Sequence, residues 1–160
     1  MNYIIDGHNL IPHVPGLSLA DLDDELQLTA LVREFCRLSR SHAELYFDGA
    51  PPPRKSPSGG GQVHVHFVRK GTAADEDMIH FMHLAGRNAK NYTLVSSDHH
   101  IQAEARSLGV TILESPVFAQ KMNQVLSMEK AASSKAEPGL SKEDVQAWLD
   151  EFNHNRPKNS

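Results

Sequence analysis

The sequence YIIDGHNL, from Tyr3 to Leu10, decides how the rest of the chain is interpreted. Its first three residues are aromatic or β-branched and uncharged, which is typical of a strand buried on both faces of a parallel sheet. Asp6 and Asn9 then place a carboxylate and an amide at the carboxyl end of that strand, with Gly7 between them to allow a tight turn. In open α/β sheets, ligands bind at this end of the strands. Taken alone, Asp6 is explained more simply as a residue that caps a turn.

The bulk composition predicts one globular domain with a short tail. The chain has 160 residues, 39% of them hydrophobic, and a formal net charge of −4, so nucleic-acid binding would need a local basic patch or bound cations. The single cysteine, Cys36, excludes an internal disulfide framework and a multi-cysteine zinc site, and beside Phe35 it is expected to be a buried structural thiol. No run reaches membrane-spanning length and no signal region precedes the first strand, so we expect no membrane association and a cytoplasmic location.

Two later segments repeat the pattern of a strand that ends in aspartate. The strand predicted from Glu44 to Phe47 is followed by Asp48, and the strand predicted from Asn91 to Val95 is followed by Ser96, Ser97 and Asp98. A hairpin turn is the ordinary explanation of Asp48 and the glycine after it, but three prolines follow instead of an alternating strand.

Helical patterns separate most of the strands. The apolar spacing predicts helices that end near Ser41, that run from about Ala73 to Asn88 and from His99 to Leu108, and that begin at Pro116. The first of these helices could be capped by Ser18 or Asp21. The order of elements predicts an α/β fold, a three-layer α/β/α sandwich with a mostly parallel central sheet.

The segment from Val63 to Val68 alternates apolar residues with His64 and His66, which indicates an edge strand or a half-exposed strand. The two imidazoles would share one face, a spacing that metal ligands also use. Solvated side chains on an edge strand are the simpler explanation.

A fourth acidic position begins the helix after this strand. Asp75 lies one turn before Met78 and Ile79 and on the same side, so it would face inward and need a cation or a hydrogen-bond partner. The helix dipole accounts for acidic residues in a first turn in general. Asp77, on another face, is the alternative to Asp75.

These aspartates predict a metal site. Carboxylates gathered at one end of a sheet repel one another unless a hard divalent cation neutralises them. Mg²⁺ or Mn²⁺ held by a few carboxylates and water is the usual arrangement for phosphoryl chemistry, in which the metal activates water and stabilises charge on the phosphate.

The same residues carry a resemblance to a known family. The segments 6–10 (DGHNL), 47–49 (FDG), 74–75 (AD) and 95–98 (VSSD) resemble the NYN branch of the PIN-like ribonucleases, closest to the YacP type, over roughly residues 1 to 125. The resemblance implies a PIN-like fold and a Mg²⁺- or Mn²⁺-dependent endoribonuclease. Its metal ligands would be Asp6, Asp75 (or Asp77) and Asp98, while Asn9 would orient Asp6 or touch substrate and Asp48 would support the site. His8 stands where an aromatic residue is common in the family.

RNA binding requires positive charge near such a site, because phosphate contacts supply most non-specific affinity. The candidate substrate-binding residues lie in the loop after the second strand and just before the acidic helix: Arg54, Lys55, Arg69 and Lys70. Solvated surface charges explain these residues equally well.

The end of the chain is expected to be separate from the nuclease domain. We predict a domain at residues 1–127, a linker at 128–140 rich in Ala, Ser, Lys and Glu, and a tail at 141–160 with a short amphipathic helix around Trp148. That helix would pack on its own domain or on a protein partner.

Two other classes of function remain open from the sequence. The first is a non-catalytic RNA- or protein-binding relative that keeps the fold, although all the expected carboxylates are present. The second is an acid-cluster phosphatase or phosphotransfer receiver, which would need an aspartyl nucleophile and a lysine at a later strand end.

Overall fold

The computed structural model describes residues 1–18, 23–49, 61–68 and 74–135. In these ranges the chain forms five strands and five α-helices, with short 3₁₀ segments at Ile11–His13 and Gly86–Asn91. The elements in chain order are β1 Asn2–Asp6, α1 Gly7–Leu10, α2 Asp24–Ser39, β2 His42–Asp48, β3 Val63–Val68, α3 Ala74–Ala85, β4 Tyr92–Val95, α4 His99–Ser107, β5 Thr111–Leu113 and α5 Ser115–Lys135. Within the same ranges, no helix is long and apolar enough to cross a membrane.

The strands form one sheet in the order β3-β2-β1-β4-β5, and every neighbouring pair is parallel. The α/β fold predicted from the sequence is therefore confirmed. Strand β1 lies at the centre, where Ile4 is opposite Glu44 on one side and Leu94 on the other. Its residues Tyr3 to Ile5 are buried on both faces, as their composition predicts.

The two faces of the sheet have separate hydrophobic cores. On one face, the rings of Tyr3, Phe35 and Phe118 pack with centroids 5.2 to 5.9 Å apart. Cys36 is buried in this core, and burial raises the pKa of its thiol to about 11, so the prediction of a structural cysteine is confirmed. On the other face, α3 and α4 cover the sheet with residues such as Met78 and Ile101.

The predicted turn after β1 is a turn of helix, and Asp6 caps it, as the simpler explanation of this residue has it. Residues Gly7–Leu10 form a single helical turn because the Asp6 side chain accepts a hydrogen bond from the Asn9 backbone N–H and so caps the turn. Helix α2 begins at Asp24, later than a cap at Ser18 would place it. The Asp24 carboxylate instead accepts a hydrogen bond from the Ser18 N–H and holds the preceding chain against the helix start.

Strand β3 pairs in parallel with β2 at the edge of the sheet. The dipeptide of Asp48 and Gly49 is therefore not a hairpin turn, and β2 ends at the same side of the sheet as β1. Both the edge position of β3 and the interpretation of Asp48 as a strand-end residue are confirmed.

The chain divides into two compact units, Met1–Ser127 and Met128–Ser160. Helix α5 continues to Lys135, within the stretch 128–140 whose composition predicts a linker. Residues 136–160, including the predicted helix around Trp148, lie outside the described residues. The assignment of residues 1–127 as a nuclease domain with a linker and a tail stays a prediction.

Candidate active site

Three aspartates end adjacent strands or follow them directly. Asp6 ends β1 and Asp48 ends β2, while Asp98 follows β4 by three residues. Because β1 lies between β2 and β4 in a parallel sheet, the carboxyl ends of the three strands lie side by side at one end of the sheet, which we call the carboxyl rim. The topology therefore brings Asp6, Asp48 and Asp98 to the same end of the sheet.

Asp6 is the most perturbed carboxylate of the rim. Burial raises the pKa of Asp6 to about 6, opposed by the hydrogen bond from the Asn9 N–H, and the charges of Asp48 and Asp98 raise it further. Its second oxygen, Oδ2, accepts a hydrogen bond from Ser96 Oγ at 3.4 Å. A half-buried carboxylate between two others is a group that a cation would stabilise.

Asp48 connects the rim to helix α3. Its Oδ1 accepts a hydrogen bond of 2.6 Å from the backbone N–H of Ala74, the first residue of α3. Asp75 and Asp77 follow in the first turn of that helix and are both half-buried. The Asp75 carboxylate accepts a hydrogen bond from the Glu76 N–H. Burial raises the pKa of the Tyr46 hydroxyl, and the charges of Glu44 and Asp77 raise it further. Both residues remain alternatives for the third ligand position.

Asp98 caps helix α4. Its Oδ1 accepts a hydrogen bond of 2.8 Å from the His100 N–H, and its own N–H donates to Ser96 Oγ at 3.1 Å. The Asp98 side chain is nevertheless exposed. Ser96 therefore contacts both Asp6 and Asp98 and fixes the spacing between the two strand ends.

Asn9 is held by two donors from distant parts of the chain. Its Oδ1 accepts hydrogen bonds from the Ser97 N–H at 2.8 Å and from Ser115 Oγ at 2.6 Å. With Oδ1 occupied in this way, the Nδ2 group is the part of the amide that can donate to a carboxylate or to a phosphate oxygen.

Sequence reasoning missed part of this network. Ser115 is fully buried at the start of α5, and Gln102 donates to the Ser96 carbonyl at 2.8 Å and to Glu114 Oε1 at 2.9 Å. Ser96 was visible only as part of a strand-end motif. A lone serine after a strand, or a lone glutamine within a helix, carries no sequence signal that separates it from an ordinary surface residue.

Gly7 is required by packing rather than by a tight turn. A Cβ atom at this position would lie 2.8 Å from the Tyr46 carbonyl oxygen and 2.3 Å from the Phe47 ring. The next residue, His8, contacts Phe47 at 5.4 Å between ring centroids and bonds to Glu25 Oε1 through Nε2 at 2.8 Å. The motif from Asp6 to Asn9 is thus fixed against β2 on one side and α2 on the other.

The donor set of the rim suits a hard divalent cation. Carboxylate and amide oxygens are the ligands that Mg²⁺ and Mn²⁺ prefer, and burial, followed by the charges of Asp48 and Asp98, opposes ionisation of Asp6 in the absence of a cation. In the described part of the chain, no three Asp, Glu, His or Cys side chains converge on one metal position. Mg²⁺ commonly binds through one or two carboxylates and keeps several waters, so the residues present fit this kind of site.

The sequence predicts four substrate-binding cations. Arg54, Lys55, Arg69 and Lys70 lie outside the described residues.

Comparison with known proteins agrees with the fold. The family model for the YacP-like NYN domain matches residues 3–156, so the match extends beyond the first 125 residues that carry the resemblance. No curated protein sequence matches the chain.

Among solved structures, the crystal structure of Rae1 (YacP) from Bacillus subtilis is similar, with a TM-score of 0.65 and 17% identity over 97% of this chain and 95% of that one. The W164L mutant of the same protein gives a TM-score of 0.70 and 15% identity over 88% of this chain and 86% of that one. These likenesses show the fold. Because the family model spans nearly the whole sequence, the chain belongs to the YacP-like NYN domain family.

Proposed function

We propose that this protein is a Mg²⁺- or Mn²⁺-dependent endoribonuclease that hydrolyses RNA phosphodiester bonds at the carboxyl rim. The observation that carries the proposal is the environment of Asp6, a half-buried carboxylate whose pKa is raised to about 6 by burial and by Asp48 and Asp98. Such a cluster is costly to the fold without a cation. The YacP-like NYN family assignment agrees with a nuclease-like, RNA-related function.

The residues of the carboxyl rim would have different roles in this reaction. Asp6, Asp98 and either Asp75 or Asp77 would hold the metal, one or two of them directly and the rest through its bound water, and Asp48 would support them through its hydrogen bond to the start of α3. When bound, the metal would supply a polarised water and stabilise charge on the phosphate. Asn9 would donate from Nδ2 to Asp6 or to a phosphate oxygen, since Ser97 and Ser115 occupy its Oδ1.

The substrate is proposed to be RNA, either messenger RNA or RNA associated with the ribosome. Arg54, Lys55, Arg69 and Lys70 are the proposed phosphate contacts near the rim, because they flank β3 and precede α3 in the sequence. The helix around Trp148 is proposed to pack on the domain or on a protein partner. The cytoplasmic location also stays a prediction.

A cleavage assay with matched variants tests this proposal. A mixed pool of single-stranded and structured RNA is incubated with Mn²⁺, Mg²⁺ or a chelator, and the native chain is compared with Asp98→Asn. Asparagine is a good N-cap, so the variant keeps the cap of α4 and loses the charge. Glu104→Gln, in the same helix, is the control for loss of one negative charge.

We expect metal-dependent cleavage that Asp98→Asn reduces by about a hundredfold or more and that Glu104→Gln leaves unchanged. Equal cleavage by the native chain and Asp98→Asn would overturn the assignment of the site. Cleavage that persists in chelator would overturn the metal dependence.

A non-catalytic RNA- or protein-binding domain is the second candidate. It is favoured by the lack of three converging metal-ligand side chains in the described residues. Under this alternative, the native chain neither cuts RNA nor binds Mn²⁺.

A further inference from the structure

The opposite end of the sheet differs from the rim in charge. Helices between parallel strands run antiparallel to them, so their first turns lie at the carboxyl rim and their last turns at the other end, which we call the amino edge. In the described ranges, all charged residues in the first turns of α2 and α3 are acidic. The segments that lead into β2 and β4 at the amino edge instead carry exposed cations, namely Arg37, Arg40, Arg87 and Lys90.

A cavity with both polar and apolar lining opens between the strand starts at this end of the sheet. It has a volume of about 190 Å³, and its lining includes Asn2, His42, Glu44, Gln62, His64 and Tyr92. Arg40 lies two residues before His42, and Lys90 lies two residues before Tyr92, so a cation leads into each of two strands that border the cavity.

Arg40 occupies a backbone conformation that glycine would adopt more easily. It ends α2 with φ 54° and ψ 43°, and it is the one non-glycine residue with positive φ in the described residues. Helices usually place glycine at such a position. An exposed arginine at that point places a cation two residues before the cavity residue His42 at a cost to stability, which is a pattern found at functional positions.

The cavity itself suits a base rather than a phosphate. Glu44 lies on its wall, 17% exposed, and its two oxygens contact His64 Nδ1 at 3.0 Å and His66 Nε2 at 2.5 Å. Burial opposes ionisation of Glu44, but the hydrogen bonds from His66 and His64 lower its pKa on balance. An ionised carboxylate repels phosphate and accepts N–H groups, which nucleobases carry on their edges. Tyr92 also lines the cavity, and its ring, which already makes a T-shaped contact with Phe81 at 5.3 Å between centroids, supplies the aromatic group for stacking.

From this arrangement we propose that the amino edge is a second RNA-binding site, in which Arg40 and Lys90 hold the phosphates of an unpaired nucleotide and the cavity takes its base. The inference deepens the proposed function, because it assigns a substrate contact about one strand length from the rim. RNA bound at both ends of the domain would gain affinity from the amino edge, which does not contact the scissile bond.

Binding of a labelled RNA separates the amino edge from the rim. The probe is a fluorescein-labelled single-stranded 12-mer of mixed sequence, and anisotropy is measured in chelator with the full chain, so that cleavage does not interfere. The double variant with Arg40→Gly and Lys90→Ala is expected to bind about tenfold more weakly or worse. Its plot of log affinity against log salt should be shallower by about 1.4, twice the value for one single-stranded phosphate contact.

The control is Arg37→Gln, which removes the same charge one turn earlier in α2 from a side chain already bonded to Glu34 at 2.6 and 2.9 Å. We expect it to change affinity less than about twofold. The substitution Arg40→Gly should also raise thermal stability, because glycine relieves the left-handed conformation. If Arg40→Gly binds RNA more weakly although the protein is more stable, Arg40 contributes to binding and not to folding.

A second arm tests whether the cavity takes a base. An RNA with abasic sites throughout has the same charge, and we expect it to bind the native chain about tenfold more weakly. In Tyr92→Leu, which keeps apolar bulk but removes the ring face, this difference should disappear. The proposal is overturned if abasic and normal RNA bind the native chain equally, or if polyglutamate of equal charge competes as well as RNA.

The outcome is independent of whether the protein is a nuclease. If the native chain cuts RNA and the double variant binds and cuts equally well, the proposal of a second binding site fails, while the nuclease site at the carboxyl rim stands. If no cutting occurs but binding depends on Arg40 and Lys90, the nuclease proposal fails and the amino edge stands as an RNA-binding site.

Discussion

The two ends of the sheet each contain a partly buried carboxylate, and their environments are opposite. At the carboxyl rim, Asp6 has a raised pKa because burial and two other carboxylates oppose its charge. At the amino edge, Glu44 has a lowered pKa because the hydrogen bonds from His66 and His64 outweigh the effect of burial. The comparison shows that β3 supplies Glu44 with two hydrogen-bond partners, whereas among the described residues the hydrogen bond from Asn9 and the charge of His8 do not offset burial and the other two carboxylates at Asp6. We expect the rim to gain its partner from outside the chain.

The largest expected effect concerns the backbone that forms the rim. Gly7→Ala would place a Cβ 2.8 Å from the Tyr46 carbonyl oxygen and 2.3 Å from the Phe47 ring, and the carbonyl oxygen belongs to the central part of the sheet. We expect a loss of about 3 kcal/mol in the free energy of unfolding, measured by urea denaturation, because overpacking of a tight contact forces the backbone to shift.

A glycine at the amino edge provides the matched control. At Gly109, φ is +82° and a Cβ would meet only Lys90 Cβ at 4.0 Å, so alanine there has space. Gly109→Ala should cost about 1 kcal/mol through its left-handed conformation alone. Equal losses for the two variants would show that Gly7 is not held by close packing.

Sequence reasoning located the strands and their terminal carboxylates because both depend on local order. A buried β-branched strand and the aspartate after it are adjacent in the chain, and the parallel topology then places Asp6, Asp48 and Asp98 at one edge. The turn after Asp6 was predicted, but its helical form over Gly7–Leu10 was not, because four residues are too few to show helical periodicity.

Contacts between distant residues were beyond the reach of the sequence. Ser115 donates to Asn9 across 106 residues, and nothing near Ser115 indicates that partner. Glu44 was assigned to a strand, while its two histidine partners on β3 were interpreted without it. The choice between Asp75 and Asp77 depends on where α3 begins against the rim, which helical spacing alone does not determine.

The next effect concerns the charge of Asp6. Because its folded pKa of about 6 lies above the ordinary 3.8, the folded protein binds this proton more tightly than the unfolded chain, and stability falls as pH rises from about 4 through 6. Asp6→Asn removes that penalty, so the variant should be more stable than the native chain by about 2 kcal/mol at pH 7 after allowance for partial exposure. Below about pH 4 the two should be equal. Thermal or urea unfolding across this pH range measures the difference.

Mn²⁺ distinguishes a metal site from simple repulsion in the same experiment. A cation at the rim stabilises the native chain by binding the folded state, and Asp6→Asn should lose most of that stabilisation. If Mn²⁺ raises the stability of both proteins equally, Asp6 is not among its ligands.

The smallest effect has the opposite sign and lies at the amino edge. The pKa of Glu44 is lowered from 4.5, so its ionised form stabilises the folded state above that pH, and this contribution is lost as pH falls through the folded pKa. Glu44→Gln should therefore destabilise the protein at pH 7 by about 1 kcal/mol, because the imidazoles of His64 and His66 lose a charged acceptor. The same pH series of unfolding curves tests both carboxylates. A destabilised Asp6→Asn variant at neutral pH would mean that the folded state stabilises the charge of Asp6, against the raised pKa. A stabilised Glu44→Gln variant would mean that the folded state disfavours the charge of Glu44, against the lowered pKa. Either result would contradict the contrast between the two ends.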